Sequence, residues 1–154
     1  MDPMLEGGCA CGAVRYRLTS APMFVHCCHC RDCQRQTGGA FVINALIEAD
    51  RVETTHGVSE AVAVPTDSGA PHVIDRCPAC RVALWSTYGG RTKVRFVRVG
   101  TLDQAEALAP DVHIFTRTKL PWVSVSGAPE FEVYYDMDAL WPAEGLARCK
   151  AALG

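Results

Sequence analysis

Nine cysteines in 154 residues, eight of them in three tight groups, constrain this chain more than any other feature. The stretch HCCHCRDCQR, residues 26 to 35, carries Cys27, Cys28, Cys30 and Cys33 together with His26 and His29. Cys9/Cys11 and Cys77/Cys80 form two close pairs, and Cys149 stands alone. An odd count leaves at least one thiol unpaired under any disulfide scheme. The N-terminal MDPMLEGGCACG lacks the basic start and apolar run of a secretion signal. No segment approaches the roughly 18 uninterrupted apolar residues of a membrane span. The expectation is therefore a cytoplasmic chain, in a reducing compartment where dense cysteine points to metal or redox chemistry.

CxC and CxxC are spacings at which one backbone turn brings two sulfurs to one ion. Zinc takes thiolates at about 2.3 Å, and a structural site closes with four of them. Cys9/Cys11 and Cys77/Cys80 each supply half such a site, and their meeting clips the N-terminal strand to the middle of the chain. Cys28, Cys30 and Cys33 overlay CxC on CxxC and give three sulfurs within six residues. Three protein ligands with an open fourth position mark a catalytic zinc. Along an extended segment neighbours face opposite ways, so Cys27 and His29 are expected to turn away from this cluster, Cys27 as a buried free thiol. His26 remains an alternative fourth ligand.

The rest reads as short strands. AVRYRL (13–18) alternates, whereas FVINALI (41–47) is a near-continuous apolar run suited to a strand covered on both faces. RVETTH, VALWST, KVRFVRVG, DVHIFT and FEVYY follow, with breaks at Gly89-Gly90, Pro110, Pro121 and Gly127-Ala128-Pro129. Arg31 to Thr37 makes about two helical turns ended by Gly38-Gly39. Pro142 and Gly145 divide the C-terminal helix formers into two short pieces. The reading is mainly β, with short helical pieces, in a single zinc-clipped domain spanning 1–154. A net charge of −2 gives no footprint for nucleic acid or an anionic membrane. Arg91, Lys93, Arg95 and Arg98 interleave with apolar residues as the solvated face of a strand. His56 and His72 read as surface residues, Trp85 and Trp141 as core, and Cys149 as a buried or surface thiol.

GGCACGAVRY (7–16), CHCRDCQRQTG (28–38), RCPAC (76–80) and HIFTRTKLPW (113–122) stand in an order that resembles the glutathione-dependent formaldehyde-activating enzyme family, which includes centromere protein V relatives. The resemblance implies a β-tent of folded antiparallel sheets and two zinc ions per chain. One is structural, at Cys9, Cys11, Cys77 and Cys80; the other is open or labile, at Cys28, Cys30 and Cys33. It departs from the family at Arg76, where an aromatic residue is common, and at Arg81, where Gly is usual; Arg81 predicts an altered or strained loop. His113, Phe115, Lys119 and Trp122 match the family but read more readily as core and turn than as substrate contacts.

The function implied is a zinc-dependent carbon–sulfur lyase of the S-(hydroxymethyl)glutathione synthase type, with Cys28, Cys30 and Cys33 as its catalytic ligands. Its partners are a small thiol such as glutathione and an aldehyde such as formaldehyde. The alternative is a non-enzymatic zinc module for protein or nucleic-acid interaction. An open site beside a cleft favours the enzyme, and a fourth protein ligand favours the module.

Overall fold

The structure, a computed structural model, describes residues 4–154. Residues 1–3, on which the leaderless expectation partly rests and where the expected domain begins, lie outside the described residues. Strands β1 (Leu5–Gly8), β2 (Arg15–Leu18) and β5 (Val52–His56) form a three-stranded antiparallel sheet in the order β1-β2-β5. The larger sheet contains β3 (Phe24–Cys28), β4 (Val42–Glu48), β6 (Glu60–Val64), β7 (His72–Arg76), β8 (Ala83–Tyr88), β9 (Val94–Arg98) and β10 (Val112–Ile114). Its order is β10-β3-β4-β9-β8-β7-β6, antiparallel throughout except that β10 runs parallel to β3. The mainly β architecture of two sheets with short helices follows the sequence reading.

Strand alternation gives the large sheet two buried faces. On one, Val25, Ala45, Ile47, Trp85 and Val97 meet Tyr16, Leu18 and Val52 of the small sheet. Tyr16 packs edge-on against Trp85, with ring centroids 5.6 Å apart, and shares a 2.6 Å hydrogen bond with the Thr101 hydroxyl. On the other face Phe24, Leu46 and Val94 pack with Tyr135, Trp141 and Cys149. Burying each large side chain stabilises the fold by about 1.5–3 kcal/mol. The uninterrupted apolar run of β4 is thus explained: Ala45 and Ile47 serve one core, Leu46 the other.

Helix α1 (Arg31–Thr37) occupies the predicted residues and ends at Gly38, which takes φ 69° and donates its backbone N–H to the Gln34 carbonyl. Helices α2 (Met137–Leu140) and α3 (Ala143–Leu153) are the two expected pieces, separated at Trp141-Pro142. Gly145 does not break α3. It lets the helix press onto the backbone at Met23, just before β3, because a Cβ there would stand 2.8 Å from the Met23 carbonyl oxygen.

Three expectations fail. FEVYY does not form a strand: Phe115 takes φ 57°, which bends the chain after β10 and breaks any regular ladder, leaving irregular backbone bonds such as Phe131 N–H to His113 O and Phe115 N–H to Val133 O. Arg98 is not on a solvated face. It is buried, donating to Asn44 Oδ1 at 2.9 Å, Ser86 Oγ at 3.1 Å and the Gln36 amide oxygen. His72 is also buried, stacked on Tyr88 at 4.1 Å and hydrogen-bonded to Ser86 Oγ at 2.9 Å. Among the described residues no helix is long and apolar enough to cross a membrane.

Candidate functional site

The sulfurs of Cys9, Cys11, Cys77 and Cys80 all lie within 4.8 Å of one another. Cys9 and Cys11 are 3.6 Å apart, and Cys11 and Cys77 3.7 Å. Tetrahedral zinc with bonds of about 2.3 Å sets its sulfurs about 3.8 Å apart, so the donor set fits such an ion. Each pair rests on a tight turn. Gly12, at φ 79°, lets the chain reverse so that the Val14 N–H reaches Cys9 Sγ at 3.3 Å. In the second turn the N–H groups of Ala79 and Cys80 point at Cys77 Sγ, at 3.4 and 3.5 Å. Backbone N–H groups at Val82 and Cys11 pull the Cys80 thiol down to about 6. The Cys11 thiol is helped by Ala13, but neighbouring sulfurs outweigh that and push it up to about 11. A divalent cation is what lets all four ionise together.

Arg81 closes the second turn in the left-handed region, at φ 69°, so the strained loop anticipated there is present. Its carbonyl accepts from the Arg76 guanidinium at 2.9 Å, and its own guanidinium pairs with Glu60 at 2.7 Å. These contacts join Arg76 and Arg81, the two positions where the sequence suggested an altered loop.

Cys28, Cys30 and Cys33 form the second group, again within 4.8 Å of one another. Cys28 ends β3, Cys30 caps α1 and Cys33 lies in its first turn. Cys30 Sγ accepts the Cys33 N–H at 3.2 Å and lies 3.0 Å from Cys33 Sγ. Hydrogen bonds from Cys28 and Cys33, aided by backbone N–H groups, push the Cys30 thiol down to about 3. The same contact with Cys30 pushes Cys28 up to about 12, and contacts with Cys28 and Cys30 raise Cys33 further. These contacts favour ionisation at Cys30 over Cys28 and Cys33, and a bound cation would favour ionisation of all three. Among the described residues no fourth protein ligand joins this group.

His26, the alternative ligand, belongs to another network. The Trp141 indole N–H donates to Tyr135 Oη at 2.6 Å, and the Tyr135 hydroxyl donates to His26 Nε2. Burial pushes His26 down to about 4, so it is a neutral acceptor at pH 7. Cys27 and His29 turn away from the three-sulfur group, as strand alternation requires. They form a third buried group with His113 that could hold a metal ion, with Cys27 Sγ 3.5 Å and His113 Nδ1 3.1 Å from His29 Nε2. An internal account also serves. His29 Nε2–H donating to His113 leaves Nδ1 as a bare acceptor, and that atom has no partner. The segment after β10 is tied to the cluster by Gln34 Nε2, which donates to the carbonyls of His29 and Thr118, each at 2.9 Å. Lys119 donates to the Val123 carbonyl at 2.6 Å, a turn-holding role, and Trp122 is exposed.

A cavity of about 470 Å³ opens beside Cys28, Cys30 and Cys33. Its polar wall includes Asp32, Gln36, Asn44 and His72; its apolar wall includes Leu46, Phe96, Phe115, Tyr134, Met137 and Trp141. Cys149, one helical turn beyond Gly145 on the buried face of α3, also faces it. The sequence reading missed this cavity, because its walls come from segments far apart in the chain. The only local signal was the i, i+4 placement of Gly145 and Cys149.

The sequence profile of the glutathione-dependent formaldehyde-activating enzymes matches residues 4–118. A Halomonas elongata protein provisionally named as such an enzyme is 28% identical over 160 aligned positions, covering 98% of this chain and 97% of its own. A crystal structure of a Rhodobacter sphaeroides protein aligns with a TM-score of 0.47 at 17% identity, over 82% of this chain and 99% of that one. The profile spans both pairs of cysteines, the three-sulfur cluster and β10, and on that match the chain belongs to the glutathione-dependent formaldehyde-activating enzyme family.

Proposed function

We propose that this protein joins a thiol to an aldehyde at Cys28, Cys30 and Cys33, glutathione and formaldehyde being the pair for which its family is named. The thiol sulfur adds to the carbonyl carbon: a C–S bond forms as the C=O π bond opens, and the thiol proton passes to the oxygen. No oxidant or reductant is needed, and the reverse step is that of a carbon–sulfur lyase. The observation that carries this reading is a three-sulfur group with no fourth protein ligand among the described residues, on the wall of a cavity.

Zinc bound there supplies positive charge that keeps an incoming thiol ionised near neutral pH. The chain's own groups do the rest. Cys28, Cys30 and Cys33 line the cavity and, among the described residues, have no fourth protein ligand beside them. The apolar wall beside the cluster lowers the local polarity, which strengthens charge interactions there. We assign Cys9, Cys11, Cys77 and Cys80 to a closed structural zinc remote from this step.

The test uses protein of measured zinc content and a cobalt-substituted counterpart. Glutathione entering the cobalt shell alters the thiolate charge-transfer absorption, and adduct forms faster than in the uncatalysed mixture. No spectral change with any small thiol, and no rate above background, would return the protein to the class of zinc-binding interaction modules.

A further inference from the structure

We infer that the cavity beside Cys28, Cys30 and Cys33 receives the aldehyde's carbon chain, and that the preferred aldehyde is apolar, with an alkyl or arylalkyl tail, rather than formaldehyde. This rests on the thiol–aldehyde reading above and specifies its second substrate.

Size is the first observation. Formaldehyde has no tail, and a cavity of about 470 Å³ falls in the range that encloses a far larger ligand. Lining is the second. Leu46, Phe96, Phe115, Tyr134, Met137 and Trp141 make one apolar wall continuous with Cys28. Such a surface binds hydrocarbon at the expense of ordered polar groups.

Charge is the third observation. Apart from the cluster sulfurs, Asp32 and Arg91 are the only charged side chains among the described lining residues, one of each sign. Glutathione carries two carboxylates and an ammonium, so this lining cannot pair all of them. Part of the polar wall is engaged already: Arg98 holds the amide oxygens of Asn44 and Gln36, and Ser86 holds His72. The peptide-like thiol therefore stays at the mouth, its sulfur at the cluster, and the aldehyde tail fills the interior. Much of the apolar wall, including Tyr134, Met137 and Trp141, lies beyond the residues matched by the family profile. A wall outside the common region is a natural place for one member to set its own substrate.

The addition is the one already written, with the same bonds formed and broken, and yields a thiohemiacetal. Each methylene buried should raise kcat/KM about fourfold until the cavity is filled. From propanal to hexanal, with glutathione fixed, the expected gain is on the order of tenfold to a hundredfold over the uncatalysed ratio. Met137→Gln should flatten this slope and Met137→Leu preserve it. Calorimetry with hexanamide, an unreactive carbonyl analogue, on the zinc-loaded protein reads the cavity without turnover. Binding of hexanamide with no turnover of any thiol–aldehyde pair keeps the cavity assignment and defeats the catalytic reading. Turnover of formaldehyde with no gain along the aldehyde series, and no hexanamide binding, does the reverse and overturns the inference. A chain-length gain that follows the thiol instead of the aldehyde also overturns it.

Discussion

The two sulfur groups use the same chemistry at the same spacings, yet they are built for opposite ends. The Cys9/Cys11/Cys77/Cys80 group joins two hairpin-like turns from distant segments, with four donors. The Cys28/Cys30/Cys33 group comes from one strand–helix junction, bridges nothing, and faces a cavity. Ligands spread along the chain act on folding; ligands gathered within one turn leave the ion free to act on something else. That contrast can be broken experimentally.

The largest effect is expected at the long-range group. Cys11 and Cys77 are 66 residues apart, and a cross-link closing a loop of that length stabilises by about 4 kcal/mol in the chain-entropy estimate. Cys77→Ser should cost a comparable amount, lowering Tm by roughly 10 °C or more. Cys77 is fully buried, so the hydroxyl has no water to replace its lost partners. Thermal unfolding that shifts by only a degree or two would remove the group from any role in folding.

Cys30→Ser should separate function from stability. Cys30 caps α1 through its sulfur, and serine is among the preferred residues at such a cap, so the helix keeps its terminal bond. The expected change in stability is within about 0.5 kcal/mol, while adduct formation falls at least about a hundredfold and zinc content drops by one per chain. A chelator should correspondingly remove one zinc from the wild type before the fold is lost. Loss of both ions together with unfolding would erase the distinction between the two groups.

Acid should act first on the cavity side. Burial pushes His72 and His26 down to about 4, against about 6.5 in an unfolded chain. Both are bases with depressed folded pKa values, so between those limits the unfolded chain binds protons more readily. Stability is therefore full above about pH 6.5 and is lost as pH falls toward 4. Each histidine contributes a slope of up to about 1.4 kcal/mol per pH unit. Urea unfolding of His72→Gln between pH 7 and 4.5 should show one share of that slope removed. An unchanged slope would mean that His72 can be protonated in place, beside Ser86.

What could be read from the sequence was what is written locally. The CxC and CxxC spacings named the ligand groups, because two sulfurs on one turn need no tertiary information. Helix α1 was legible from Gly38, whose positive φ ends it. FEVYY has strand composition, but the bend at Phe115 denies it a straight partner, and nothing in the composition reveals that bend. Arg98 was placed on the surface because basic residues alternate there with apolar ones, and His72 because no partner pattern surrounds it in the sequence. They are buried because Asn44, Gln36 and Ser86, on other elements, supply partners for them, although Arg98 Nε is left without one. The cavity was illegible for the same reason: Leu46, Phe96 and Trp141 meet only when β4, β9 and the C-terminal helices are assembled.

The smallest expected effect lies at Arg81, and it tests how tightly the long-range group is drawn. A left-handed conformation costs an L-residue about 1–2 kcal/mol, and glycine escapes that cost at about 0.5–1 kcal/mol of extra unfolded-state entropy. Arg81 offsets part of its strain through the ion pair with Glu60, but both side chains are at least half exposed, so that pair contributes less than about 1 kcal/mol. Arg81→Gly should therefore stabilise the protein slightly, by about 0.5 kcal/mol. In a Glu60→Ala background, where the ion pair is already gone, the gain should rise toward about 1 kcal/mol. Measuring the four proteins by thermal unfolding separates the backbone contribution from the pairwise one. If Arg81→Gly destabilises in both backgrounds, the Arg76–Arg81 side of the turn holds the sulfur group in shape, and the arginine there is a support for that group rather than a strain upon it.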